Sequence, residues 1–75
     1  MEETWIYRLK EALDHADKLI DVSIFMEVAP LGIALRLRKG DKNIYRVVGY
    51  TDISVASINP LIPEMNRAYK EIKNA

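Results

Sequence analysis

One stretch of the chain, residues 31–50, constrains the fold more than any other. Its sequence is LGIALRLRKGDKNIYRVVGY, in which apolar and polar residues alternate on both sides of a short segment that contains Gly40. Side chains in a β-strand point alternately to opposite faces, so this alternation predicts two strands, each with one face toward a core. Gly40 supplies the positive φ that a tight loop needs. The stretch is therefore predicted to be a β-hairpin.

The pairing of these two strands decides which side chains face the core, because a one-residue slip turns every side chain of a strand to the opposite face. Pairing Leu35 with Val47 places apolar residues opposite each other on the inner face. The register shifted by one residue would place Leu35 opposite the charged Arg46. We therefore predict the first register, which also places Arg36 opposite Arg46 on the outer face.

A third strand is predicted over residues 21–28, where apolar and polar residues again alternate. The segment 29–32, Ala-Pro-Leu-Gly, fits a type I turn, with Pro at its second position and Gly32 at its fourth. Closing this turn pairs Met26 with Leu35, which is then the central residue of the core. The three strands share one apolar face, predicted to hold Val22, Ile24, Met26, Ile33, Leu35, Leu37, Tyr45 and Val47.

Two amphipathic helices flank the strands, over residues 4–20 and 60–74, and Asn59 can cap the second. Residues 51–59 fit neither period and are predicted to be a connection with a helical turn. Because each helix has one apolar stripe and the sheet has one apolar face, the predicted fold class is α+β. It is a two-layer α-β-β-β-α arrangement in which both helices pack on one face of a three-stranded antiparallel meander. The strands are predicted over residues 21–28, 32–38 and 43–50 of a single domain, residues 1–75.

The composition excludes several classes of protein. The chain of 75 residues has no cysteine, which excludes disulfides and thiolate metal sites, and no apolar run approaches the ~20 residues that span a bilayer. Its formal net charge is zero, whereas general nucleic-acid and membrane binders usually carry a positive excess. The acidic start, Met1-Glu2-Glu3, is not a secretory signal, so we expect a cytoplasmic protein.

The order of elements resembles that of double-stranded-RNA-binding domains and of some small toxin nucleases. The basic cluster that those RNA-binding domains carry at the start of the last helix is replaced here by residues 59–64, Asn-Pro-Leu-Ile-Pro-Glu. The strand histidine of the nucleases is absent from this sequence as well. The order of elements by itself therefore predicts no function.

Residues with catalytic or metal-binding potential are few. His15, the single histidine, lies four residues after Glu11, and two ligands on one exposed helix make a weak metal site. The sequence has no nucleophile elbow, no P-loop and no Cys–His pair, and its serines have no evident base nearby. We therefore predict a protein without enzymatic activity, catalytic residues, a metal or a cofactor.

The outer face of the predicted sheet combines aromatic, apolar and arginine side chains. A purely solvated face would not need the aromatic residues, and it would avoid two arginines opposite each other. Arg and aromatic residues are enriched at protein interfaces, and some sheets use them to stack the bases of single-stranded nucleic acid. The predicted binding residues of this face are Phe25, Glu27, Arg36, Arg38, Ile44, Arg46, Val48 and Tyr50.

Two functions from different classes fit this face. The first is a protein-interaction or self-association module, which uses the outer face or an unpaired edge of the sheet to contact a protein partner or a second copy. The second is nucleic-acid or anionic-ligand binding, placed lower because the net charge is zero. Tyr7, in the middle of the polar face of the first helix, is a second candidate contact. An ordinary exposed sheet with scattered apolar residues is the alternative to both functions.

Overall fold

The architecture is a three-stranded antiparallel meander with helices packed on one face, and the predicted α+β fold is confirmed. A computed structural model describes residues 4–74. Residues 1–3, on which the expectation about a secretory signal rests, lie outside the described residues. The elements in chain order are α1 (Thr4–Ala16), β1 (Ser23–Val28), β2 (Gly32–Lys39), β3 (Lys42–Gly49), α2 (Tyr50–Val55) and α3 (Leu61–Asn74).

The core lies between the inner face of the sheet and the helices. α3 packs directly on β2 and β3, while α1 packs against α2 and α3. Leu35, on the middle strand, is fully buried, as predicted. The buried apolar residues of this core are Ala12, Ile33, Leu35, Leu37, Val48, Ile53, Leu61, Met65, Ala68 and Ile72.

The connection from α1 to β1 is longer than predicted. α1 ends at Ala16, four residues before the predicted end, and β1 begins only at Ser23. Asp21, between them, has a φ of 68°. This left-handed conformation belongs to neither helix nor strand, and Asp is among the few residues other than Gly that adopt it.

The first hairpin, β1 with β2, has the predicted register. Met26 pairs with Leu35, and the pairing continues without a bulge along the whole of β1. At the turn, the N–H of Ala29 donates to the carbonyl of Gly32 at 2.9 Å. The two turns differ in why they use glycine.

Gly32 is required by a close approach of two strands. It is the first residue of β2 and pairs with Gly49 of β3. A Cβ at Gly32 would lie 2.1 Å from the carbonyl oxygen of Val48, so no side chain fits there. Gly40 instead has a φ of 63° in the turn between β2 and β3, the conformation predicted from its sequence position.

The second hairpin, β2 with β3, is shifted by one residue from the predicted register, and that prediction is wrong. Leu35 pairs with Arg46, and Arg36 pairs with Tyr45. Every β3 side chain therefore lies on the face opposite to the predicted one. The inner face holds Ile44, Arg46 and Val48, and the outer face holds Asn43, Tyr45 and Val47.

The geometry of the turn explains this shift. Lys39 pairs with Lys42, so the loop contains only Gly40 and Asp41. Positive φ occurs at Gly40 but not at Asp41. This is the φ pattern of a type II′ turn, with Gly at its first central position, and such two-residue loops match the twist of the strands. The preference for this turn geometry therefore outweighs the free energy gained by placing an apolar residue opposite Leu35.

Arg46 is tolerated on the inner face because β3 is an edge strand, which lets the long side chain leave the core. Its Nη2 lies 2.9 Å and 3.1 Å from the carboxylate oxygens of Glu71, and its Nε lies 3.7 Å from Glu64. Its Nη1 donates to the carbonyl of Tyr45 at 3.1 Å. The carboxylates that pair with Arg46 belong to α3, so the pairing of the strands by itself does not predict them.

Tyr50, predicted at the end of the outer face, begins α2 instead. Its ring packs against that of Trp5, with 5.1 Å between the centroids, and its hydroxyl donates to the carbonyl of Ala29. The placement of Tyr50 on the outer face is therefore wrong. α2 occupies most of the segment that was predicted to be a connection, and it buries Ile53 in the core.

Asn59 joins α1 to the start of α3 and is 9% exposed. Its Oδ1 accepts from the N–H of Leu61 at 3.1 Å, which confirms the predicted N-cap. Its Nδ2 donates to the carbonyl of Arg8 at 2.8 Å and to the carboxylate of Glu11 at 2.9 Å. The guanidinium of Arg8 in turn donates to three carbonyls, that of Ile53 in α2 and those of Ala56 and Ile58 after it.

We expect Asn59→Ala to lower the free energy of unfolding by about 2 kcal/mol, because it removes an N-cap and the part-buried amide donor to Arg8 and Glu11. Chemical denaturation followed by circular dichroism measures this loss. Asn66→Ala is the control, at an exposed asparagine of α3 whose side chain has one exposed contact, with His15, and the expected change is under about 1 kcal/mol. Equal losses for the two variants would show that the Asn59 contacts contribute little.

Candidate functional site

The outer face of the sheet is the face turned away from the core. Strand pairing sets its side chains in three rows that cross the sheet. Ala34, in the centre, is 3% exposed because larger neighbours flank it, so it forms a low point in this surface. The rows of the outer face are Glu27–Ala34–Val47, Phe25–Arg36–Tyr45 and Ser23–Arg38–Asn43.

The middle row places an arginine between two aromatic side chains. Phe25 is 56% exposed and Tyr45 is 54% exposed. The guanidinium carbon of Arg36 lies 5.6 Å from the ring centroid of Tyr45, which is a cation–π contact. Such stacking orients the guanidinium plane without using its N–H groups, which stay available to an anion.

The arginines of the outer face have no carboxylate partner among residues 4–74. Arg46 and Arg67 both form ion pairs with glutamates of α3. Arg36 and Arg38 form no ion pair within these residues. Glu27, in the neighbouring row, forms none either. The outer face therefore presents two exposed guanidinium groups on one strand, two residues apart.

These side chains surround an open depression of about 650 Å³. It is a shallow concavity of the sheet surface, not an enclosed cavity, so it suits a ligand that lies on the surface of the sheet. Five of its lining residues belong to the outer face, namely Phe25, Arg36, Arg38, Asn43 and Tyr45; the sixth, Ile44, lies between two of them along β3, although its side chain is on the inner face.

The structure brings together half of the predicted binding residues. Four of the eight lie on the outer face, namely Phe25, Glu27, Arg36 and Arg38. The other four do not, because Ile44, Arg46 and Val48 lie on the inner face and Tyr50 lies in α2.

Sequence reasoning missed Asn43, Tyr45 and Val47 on this face. The signal that identifies them is the Gly40-Asp41 pair, because a Gly at the first central position is typical of a two-residue II′ turn. Counting outward from that turn gives the observed register. Apolar matching across the strands, the criterion that favoured the other register, was the weaker of the two.

Tyr7, the second candidate contact, is 70% exposed on α1. It belongs to the helix layer and lies on the opposite side of the sheet from Phe25 and Tyr45. A single ligand on the outer face would therefore not reach it, and its role as a contact stays a prediction.

The ring of His15 is engaged with α3, since its Nε2 lies 2.7 Å from the side-chain oxygen of Asn66. Within residues 4–74, no three His, Asp or Glu side chains converge on a position that could hold a metal ion. The same part of the chain contains no helix of the length and apolarity needed to cross a bilayer.

No family model, curated protein or solved structure matches this chain. A function for the outer face must therefore be argued from its own chemistry.

Proposed function

We propose that this protein is a non-enzymatic interaction module whose outer sheet face binds an acidic segment of a protein partner. The observation that carries this proposal is the Phe25–Arg36–Tyr45 row, in which an unpaired guanidinium lies between two half-exposed aromatic side chains. Aromatic residues and Arg are the types most enriched among residues that dominate binding energy at protein interfaces.

Charge complementarity supports an acidic partner. Arg36 and Arg38 point from one strand to the same face, so they lie about 7 Å apart along it. An extended peptide with carboxylates at alternate positions has the same spacing. Each guanidinium can then take a carboxylate through two parallel N–H···O bonds, the geometry that arginine favours.

The apolar parts of the outer face support a partner segment that also carries aliphatic side chains. Val47 is 48% exposed beside the buried Ala34, and the aromatic rings of Phe25 and Tyr45 are in the adjacent row. An apolar side chain two residues away from the carboxylates, on the same side of the extended partner segment, would cover this surface. Its burial would add a hydrophobic contribution that does not depend on salt.

A synthetic extended peptide with Val, Glu and Glu at three successive alternate positions, separated by Ser, tests the proposal. We expect it to bind the wild-type protein, and we expect Arg36→Gln to weaken binding by about tenfold or more, because a charge-assisted pair is lost. A labelled form of the peptide allows the affinity to be measured by fluorescence anisotropy. Backbone amide shifts in NMR spectra, recorded during the titration, identify the contacted residues.

Arg46→Gln is the matched control, because it removes a second strand arginine whose side chain lies on the helix side of the sheet. It should leave the affinity unchanged. A version of the peptide in which Gln replaces each Glu should bind neither protein. Equal loss in the two arginine variants, or amide shifts confined to α1 and α3, would overturn the proposal.

Single-stranded nucleic acid is the second candidate ligand. It is favoured by the two exposed aromatic rings on a sheet beside Arg36, an arrangement on which bases can stack. It ranks lower because Glu27 shares this face and because Arg46 is engaged with Glu71 on the other side. Tighter binding of an oligonucleotide than of the acidic peptide, with a steep loss on addition of salt, would reverse the order.

A further inference from the structure

The free edge of β1 carries unpaired backbone groups. In an antiparallel ladder, successive residues direct their N–H and C=O alternately toward the partner strand and away from it. Ala29 donates to Gly32, so the residues of β1 at odd positions face β2. The N–H and C=O of Ile24, Met26 and Val28 therefore point outward, and no hydrogen bond satisfies them within residues 4–74.

The opposite edge, formed by β3, is protected. Its outward-facing residues include Tyr45, whose carbonyl accepts from the guanidinium of Arg46. Glu71 of α3 holds that guanidinium in place over the edge. A charged side chain at an edge strand is a usual means of preventing strand addition. β1, with the sequence SIFMEV, carries a single charge, that of Glu27 on the outer face, and it has no Lys, Arg or Pro.

Apolar side chains beside the β1 edge are poorly covered. Val28 lies on the inner face of the sheet, yet it is 56% exposed. Ile20 precedes the strand and is 68% exposed, and Leu31 follows it and is 83% exposed. The main contacts of the helix layer with the sheet are to β2 and β3, and Ile24 and Met26 of β1 also pack against the core, so the Val28 end of β1 is the part left exposed.

We propose that the β1 edge is a self-association surface, on which β1 of a second copy pairs antiparallel about a two-fold axis at Met26. In this register Met26 faces its own counterpart, and Ile24 faces Val28 of the other copy. The outward N–H and C=O groups of Ile24, Met26 and Val28 are then hydrogen-bonded in both copies. The exposed Val28 is covered by an apolar residue, and the two meanders join into one continuous sheet.

Other antiparallel registers are less favourable. A two-fold axis at Ile24 would place Glu27 opposite Asp21 of the second copy. A two-fold axis at Glu27 would place the two Glu27 side chains opposite each other. Like charges that face each other across strands destabilise a sheet. A register with Phe25 opposite itself would leave Val28 to pair with Val22, outside β1 and next to the left-handed Asp21.

The axis at Met26 also keeps like charges apart on the outer face. Glu27 then lies opposite Phe25 of the second copy and not opposite another carboxylate. The hydrogen bonds of the dimer come from the β1 backbone, so the dimer does not depend on Arg36 of the proposed peptide site.

Amide hydrogen exchange in the wild-type protein tests this inference at single residues. As protein concentration rises, the amides of Ile24, Met26 and Val28 should exchange more slowly, because dimer formation hydrogen-bonds them. The outward amides of β3, those of Tyr45 and Val47, should not change. Sedimentation equilibrium should show a reversible dimer over the same range of concentration. A monomer at every concentration would overturn the inference.

Two valines provide matched variants, because each lies on an edge strand and is about half exposed. Val28→Lys should raise the dissociation constant of the dimer by about tenfold or more, since it places a charge at the seam. Val47→Lys, on the protected edge, should leave the constant unchanged. The reverse result would show that the copies associate through another surface.

An engineered disulfide tests the proposed register. The chain has no cysteine of its own, so a single introduced cysteine can cross-link only to the same residue of a second copy. Residues that form a hydrogen-bonded pair have Cα atoms about 5.5 Å apart, within the range that a disulfide bridges. Met26→Cys should therefore cross-link on mild oxidation, and Phe25→Cys should cross-link much less. Preferential cross-linking through residue 25 would refute the proposed axis. Arg36→Gln should still dimerise, which separates this test from that of the peptide site.

Discussion

Leu35→Ala is expected to lower the free energy of unfolding by about 2–5 kcal/mol. Leu35 is fully buried on the middle strand, between Met26 of β1 and α3. Truncation leaves a cavity that the sheet and helices on either side cannot easily fill. A domain of this size has a total stability near the lower end of the usual range, about 5 kcal/mol, so the variant should be largely unfolded at moderate temperature.

Phe25→Ala serves as the control for this prediction, because it truncates a larger side chain on the neighbouring strand that is 56% exposed on the outer face. We expect it to cost less than about 1 kcal/mol. Thermal and urea unfolding of the two variants, followed side by side, measures the difference. A Leu35→Ala protein that melts like the wild type would show that this residue is not in the core.

Gly32→Ala is expected to destabilise the protein by about 3 kcal/mol or more, although it adds a single methyl group. The new Cβ would lie 2.1 Å from the carbonyl oxygen of Val48 and 2.8 Å from the Cα of Gly49. Both contacts are with backbone atoms, which cannot rotate away as a side chain can. β2 and β3 would have to separate at this end, with the loss of ladder hydrogen bonds and of packing.

Gly49→Ala is the matched control, in the residue that pairs with Gly32. The nearest atom to its Cβ would be 3.7 Å away, and its φ of −66° is one that alanine adopts readily. We expect it to be neutral, or to stabilise by up to about 1 kcal/mol through the unfolded chain. Similar losses for the two glycine variants would contradict the argument from close approach.

The sequence by itself determined the three strands, two of the three helices, their order and most of the core. The alternation in β1 and β2 specified the first hairpin, including the pair of Met26 with Leu35, because a two-residue period and a proline turn agree. The helical stripes predicted α1 and α3, and Asn59 marked the start of α3. These features depend on neighbours in sequence, so local chemistry was sufficient to find them.

The tertiary structure decided the register of β3 and therefore half of the candidate site. Apolar matching would turn Arg46 to the outer face, but Glu71 and Glu64 lie on α3, close to Arg46 only once the chain has folded. With those carboxylates present, the guanidinium at the edge is stabilised, and the two-residue turn keeps its preferred geometry. Tyr45 then takes the place beside Arg36 that the sequence had assigned to a second arginine. A charge that is unfavourable by pairing rules within a sheet became acceptable because a distant helix neutralises it.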